Sequence, residues 1–289
     1  MKKVNFVSIQ SQFGFEMMAM NFAKVLGLET VIIPNKEDKK EFEEESQKIL
    51  DNMSFFSPNI FTIRSKDKDF YGEMSRDVIA EHKADLISQS LWNSFAGSRL
   101  TPNADITKLP TFWEFLDQQK NLLLIPQKLI SDESFGKTAS QQSLTPSVFN
   151  FLKKFNGRLC LGQHFNKVTD VANVEALQKY FPTLWVPGQT SHPEVFGIRG
   201  VKHAMYYNMY HRLNGAVGIP GTHTWYLLVM FPEIPQVITY RKGIENWDVI
   251  AKAYQNNGYP IEAIGFDDTT DMTKFSVEVE AICRNLGVI

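Results

Sequence analysis

Gly215-Ala216-Val217-Gly218-Ile219-Pro220-Gly221-Thr222-His223-Thr224-Trp225-Tyr226-Leu227-Leu228-Val229-Met230-Phe231 is the stretch whose reading decides the fold. Gly215 to Ile219 is small and apolar, as suits a short buried strand. Pro220-Gly221 breaks that strand, Thr222 is a ready N-cap, and the apolar run from Trp225 to Phe231 predicts a helix. Pro232 and Pro235 close the helix, and Pro235 to Tyr240 reads as the next strand. Strand, Gly/Thr turn, helix and strand make a βαβ unit whose helix N-terminus faces the ligand side of a parallel sheet. Amide N–H groups, the positive end of a helix dipole and threonine hydroxyls gather there, an environment that suits an anion such as a diphosphate.

The same alternation extends in both directions from this unit. Before it come a helix from Ser147 to Phe155, a strand from Arg158 to Gly162, a helix from Val171 to Phe181, a strand from Leu184 to Pro187 and a helix from Val201 to Leu213. After it come helix Trp247 to Asn256, strand Ile261 to Phe266 and helix Thr273 to Leu286. Short apolar strands alternating with helices predict a doubly wound parallel sheet. Its strand ends, Gly162-Gln163-His164, Pro187-Gly188, Gly221-Thr222-His223-Thr224 and Tyr240-Arg241-Lys242, converge on one edge. They bring glycines, amide donors, two histidines and two cations to that edge. His223 can donate to a phosphate oxygen and offset leaving-group charge, or it can simply cap and pack. The tyrosines Tyr206, Tyr207 and Tyr210 suit a core better than a base-stacking platform.

The N-terminal half opens in a similar way. Lys3 to Ile9 predicts a strand, Gln10-Ser11-Gln12-Phe13-Gly14 a turn, Phe15 to Leu26 a helix ended by Gly27, and Glu29 to Pro34 a second strand. GxGxxG is missing from the first turn, so no dinucleotide fingerprint is present. Lys36 to Met53 is a charged helix with a narrow apolar face, and Asn59 to Ile63 is a third strand. Between Arg64 and Arg99, cations including Arg64 and Arg76 alternate with Phe70, Tyr71, Trp92 and Phe95. That mixture suits either an acceptor-binding zone or an amphipathic surface. Thr111 to Gln118 is a short helix and Asn121 to Pro126 a compact strand, read as the last strand of this half. Ser131 to Pro146 lacks an apolar period and reads as a linker, dividing the chain into domains 1–130 and 147–289.

Bulk properties agree with two α/β units and narrow the function. The 289 residues are 43% hydrophobic, enough for two cores, and the net charge of -2 argues against general polyanion coating. Cys160 and Cys283 sit in apolar contexts and read as buried thiols rather than a disulfide, which fits a cytoplasmic location. The six histidines make no HExxH and have no cysteine partners, so no metal site is expected. The apolar residues Val4 to Ile9 are too few for a secretory signal, and no run reaches the ~18 residues of a membrane span.

The passage from Leu213 to Tyr240, with its strand, Gly/Thr turn, helix, proline connection and strand, resembles the nucleotide-binding segment of GT-B glycosyltransferases. These include heptosyltransferases and the N-acetylglucosaminyltransferases of peptidoglycan synthesis. The resemblance implies two Rossmann-like domains with a cleft between them and a nucleotide-sugar donor held by the C-terminal domain. It places Gly221, Thr222, His223 and Thr224 at the donor diphosphate, with Lys242 near the sugar or phosphate. Gly162, Gln163, His164, Pro187, Gly188 and Tyr240 would complete the donor side. Many members hold the donor ribose with an acid shortly after the turn; here the nearest acids are Glu233 and Glu245.

The expected reaction is metal-independent glycosyl transfer, with no cofactor beyond the nucleotide-sugar substrate. A base, Glu16 or Glu73, would deprotonate an acceptor hydroxyl while His223 and the helix N-terminus stabilise the departing diphosphate. Gln10, Gln12, Gly14, Arg64 and Arg76 would contact the acceptor, either a glycan or lipid-linked sugar or a hydroxymethylated base in DNA. Sugar-nucleotide epimerases share the two-domain architecture, and a non-catalytic nucleotide- or partner-binding protein would too.

Overall fold

The computed structural model describes residues 6–10, 13–27, 29–34, 38–53, 60–62, 89–101, 121–126, 146–161, 175, 177–185, 207, 210–243 and 246–289. Two parallel sheets account for all nine strands among these residues. The first has three strands in the order β1 (Phe6–Gln10), β2 (Glu29–Ile33), β3 (Ile60–Thr62), with helix α1 (Phe13–Leu26) between β1 and β2 and α2 (Lys39–Met53) between β2 and β3. Gly27, at φ +66°, takes the left-handed conformation that ends α1, as the sequence predicts. Gly14, read as part of the preceding turn, instead lies inside the first turn of α1. Helix α3 (Gln89–Gly97) follows.

The second sheet has six strands: β4 (Leu122–Ile125), β5 (Arg158–Leu161), β6 (Leu184–Trp185), β7 (Leu213–Gly218), β8 (Gln236–Arg241) and β9 (Ile261–Phe266). They lie in the order β6-β5-β4-β7-β8-β9, every pairing parallel. Numbered within the sheet, this is 3-2-1-4-5-6, the order of doubly wound nucleotide-binding sheets. A 3₁₀ segment (Pro146–Lys154) lies between β4 and β5, α4 (Thr222–Met230) between β7 and β8, and α5 (Trp247–Asn256) between β8 and β9; α6 (Met272–Asn285) follows β9.

One expectation is corrected here. The strand Leu122–Ile125, read as the last of the N-terminal half, stands at the centre of the second sheet, between β5 and β7. Its four residues are all fully buried. A parallel strand covered on both faces has no polar side to show, so the run Leu-Leu-Leu-Ile suits the middle of a sheet better than its edge. The linker read at Ser131 to Pro146 lies outside the described residues except for Pro146, which opens the 3₁₀ segment.

Side-chain alternation divides the second sheet's core in two. Leu122, Leu124, Cys160, Ala216, Ile238 and Tyr240 pack with α4 and α5 on one face. Leu123, Ile125, Leu159, Leu161, Val217 and Val237 pack with the 3₁₀ segment and with Phe275, Val279 and Cys283 of α6 on the other. Cys160 and Cys283 are therefore free thiols buried on opposite faces, and burial pushes each up to about 12.

Every residue from Trp225 to Phe231 is buried, because α4 is covered on both sides. The sheet lies beneath it, and Met17, Met18, Met20, Phe22 and Ala23 of α1 join the same core above. A helix apolar all round is stable only when enclosed in this way. Each fully buried Leu or Phe contributes roughly 2 kcal/mol over its exposed state. α3 adds Trp92, Phe95 and Ala96, and Trp92 stacks against Trp225 at 6.3 Å.

Candidate functional site

All six strands of the second sheet run the same way, so their carboxyl ends share one edge. Along it, the crossover from β4 leads to β5 on one side and that from β7 leads to β8 on the other. The crevice at this reversal is where doubly wound sheets take their ligands. It lies between Ile125-Pro126 at the end of β4 and the turn Gly218-Ile219-Pro220-Gly221 at the end of β7. The two segments adjoin: a Cβ built on Gly221 would lie 3.5 Å from the Pro126 carbonyl oxygen.

The turn is built by glycine and closed by threonine. Gly218, at φ +146°, leaves the strand in a conformation that a side chain disfavours. Gly221 rather than Thr222 is the N-cap, in extended backbone, and the helix begins at Thr222. The Gly221 carbonyl accepts from the amides of Thr224 and Trp225 at 3.0 and 3.3 Å. The Thr224 hydroxyl, buried, turns back and accepts from the Gly221 amide at 3.0 Å. This fixes the N-terminal turn of α4, whose first amides and dipole point to the crevice side.

His223 is buried, only 6% exposed, and its Nδ1 meets the hydroxyl of Tyr210, itself fully buried. Tyr210 lies against α4 through its ring contacts with His223, Tyr226 and Phe231. Tyr240, one strand over, is buried and donates its hydroxyl to Asp248 in the first turn of α5. Arg241 pairs with Asp268 at 2.6 Å and Lys242 with Asp267 at 3.7 Å, so the cations at the end of β8 face the loop after β9. The Asp267 carboxyl is held below its ordinary value chiefly by the Thr269 hydroxyl and amide, with Thr270 and Lys242 assisting.

The structure thus brings Gly221, Thr222, His223 and Thr224 together at the reversal, with Tyr240 and Lys242 on the neighbouring strand. Gln10 ends β1 at the carboxyl edge of the smaller sheet, and Gly14 and Glu16 lie in the first turn of α1. Gln12, Arg64, Arg76, Glu73, Gly162, Gln163, His164, Pro187, Gly188 and Glu245 lie outside the described residues. Glu233 is corrected as a ribose-binding candidate. It precedes β8, at the amino edge of the sheet, and pairs with Arg99 at 3.1 Å. Trp92 and Phe95 are core residues, which removes them from any stacking surface for an acceptor.

Two contributors escaped the sequence reading. Pro126 was assigned to the other half of the chain, although Leu-Ile-Pro after β4 echoes Gly-Ile-Pro after β7. Tyr210 read as core, which it is, while its bond to His223 spans a separation no periodicity reveals. Among the described residues, no helix is long and apolar enough to cross a membrane.

Comparison with known proteins adds one similarity. No protein-family model matches the chain, and no curated protein matches it either. Among solved structures it is similar to the glycotransferase of kitacinnamycin, at 12% identity and a TM-score of 0.34, over 93% of this chain and 69% of that one.

Proposed function

We propose that this chain is a nucleotide-sugar-dependent glycosyltransferase whose donor diphosphate sits at the β4/β7 reversal against the N-terminus of α4. The observation that carries the reading is the strand order β6-β5-β4-β7-β8-β9 with the Gly218–Thr224 turn at its point of reversal. In the reaction, an acceptor oxygen loses its proton to a base and bonds to the anomeric carbon, while the bond from that carbon to the diphosphate oxygen breaks. The amides of α4's first turn and His223 stabilise the charge that develops on the departing diphosphate, a role that needs no metal. Glu16 or Glu73 is the base. The acceptor is a glycan or lipid-linked hydroxyl, because Trp92, Phe95 and Arg99 of the basic and aromatic zone are engaged within the fold.

A thermal-shift panel of nucleoside diphosphates and nucleotide sugars tests the binding step. A ligand at about one hundred times its Kd adds about 2.7 kcal/mol to apparent stability, so a true donor raises Tm by several degrees. Thr222→Ala and His223→Ala should each shrink that rise. A panel in which no nucleotide moves the melting curve would end the proposal. Product analysis then separates transfer from epimerisation, since an epimerase converts the donor without an acceptor.

A further inference from the structure

We infer that Tyr210 is a positioning residue: its hydroxyl donates to Nδ1 of His223, so that the neutral imidazole carries its proton on Nε2 and offers an N–H to a diphosphate oxygen. The inference rests on the donor site proposed above and assigns a role to a residue outside it in sequence.

A neutral imidazole has one donor and one acceptor nitrogen, and the partner of one determines the function of the other. The Tyr210 hydroxyl meets Nδ1 within a buried setting, where an unmade hydrogen bond is costly. Tyr210 cannot easily leave that position. Its ring is 4.9 Å from Tyr226 and 6.1 Å from Phe231, both on α4, so it grips the helix on the face that carries His223. A phosphate oxygen only accepts, and an imidazole that keeps its proton on Nδ1 has only a lone pair at Nε2 to set against it. Donation from Tyr210 to Nδ1 is therefore the arrangement that makes His223 useful to an anion. It also lets the ring contribute a hydrogen bond as a neutral group beside the helix amides.

The tautomer of His223 is read by long-range proton–nitrogen NMR on the histidine-labelled full chain. The wild type should carry the proton on Nε2, and Tyr210→Phe, which keeps the ring and removes the hydroxyl, should shift the population toward Nδ1–H. Calorimetry with UDP, GDP, ADP and TDP supplies the second readout. Tyr210→Phe should weaken the nucleotide that binds by roughly 3- to 10-fold, the worth of one hydrogen bond. In a His223→Ala background the same change should cost nothing further. A wild-type ring protonated on Nδ1 overturns the inference whether or not the variant folds. An equal loss from Tyr210→Phe in both backgrounds overturns it too, since the hydroxyl would then be acting elsewhere. If no nucleotide binds the wild type, the donor-site reading fails, while the NMR result still decides the direction of the Tyr210–His223 bond.

Discussion

Asp267 shows how a single residue at the sheet edge links charge to stability. It accepts from the Thr269 hydroxyl and amide and the Thr270 hydroxyl, and its own amide donates to Thr270. These bonds favour the ionised carboxyl, so its folded-state value lies below the ordinary 3.8. The stabilisation is therefore complete above pH 3.8 and is lost as pH falls through the lowered value. Asp267→Asn should be less stable than wild type in urea at pH 7, and the gap should narrow at pH 3. A gap that is the same at both would show that the carboxylate charge is not what the loop uses. The arrangement is local in sequence, and the run Asp-Asp-Thr-Thr-Asp already suggests a turn. The Tyr210–His223 bond is not local, and no reading of the sequence could have supplied it.

At the scale of elements, α4 is the clearest case of sequence dictating structure. Its apolar run with a glycine turn before it and prolines after it predicts a short enclosed helix, and the helix observed runs from Thr222 to Met230. The same reading misplaced the N-cap by one residue, because Thr224 turns its hydroxyl back to the Gly221 amide. Leu227 and Leu228 are wholly buried. Leu227→Ala should cost about 2–5 kcal/mol in equilibrium unfolding, the range for a large-to-small change in a packed core. A cost below about 1 kcal/mol would mean that α4 is not enclosed as described. Helix α5 and strand β9 match their predicted limits, since each has regular periodicity and clear turn signals at both ends. β7 starts at Leu213, where a helix was expected to end, because Leu213-Asn214 has no breaker to mark the change.

At the scale of the whole molecule, α1 belongs to two environments at once. It lies against β1 and β2 of the smaller sheet and shares a continuous core with α4 and α5 of the larger one. Phe22 is fully buried there, 4.3 Å from Phe95 and 5.3 Å from Trp92, and Trp92 in turn stacks on Trp225. Disturbing α1 should therefore be felt in both halves. Phe22→Ala should lower stability by about 3–5 kcal/mol, and far-UV circular dichroism and tryptophan fluorescence should report the same midpoint. If fluorescence moved and circular dichroism did not, the two halves would be unfolding independently.

The amino-acid sequence by itself determined the α/β class, the parallel alternation of strand and helix, the buried thiols and the glycine–threonine turn at the head of α4. All of these follow from patterns within a dozen or so residues, where hydrophobic period and turn chemistry act directly. Tertiary structure alone decided that Leu122–Ile125 is the central strand of the second sheet and that the site lies between Pro126 and Gly221. It also decided that Tyr210 meets His223. The physical reason is that strand order and side-chain pairing across long separations are settled by which buried surfaces fit together, and an apolar strand with no polar face carries no record of its neighbours.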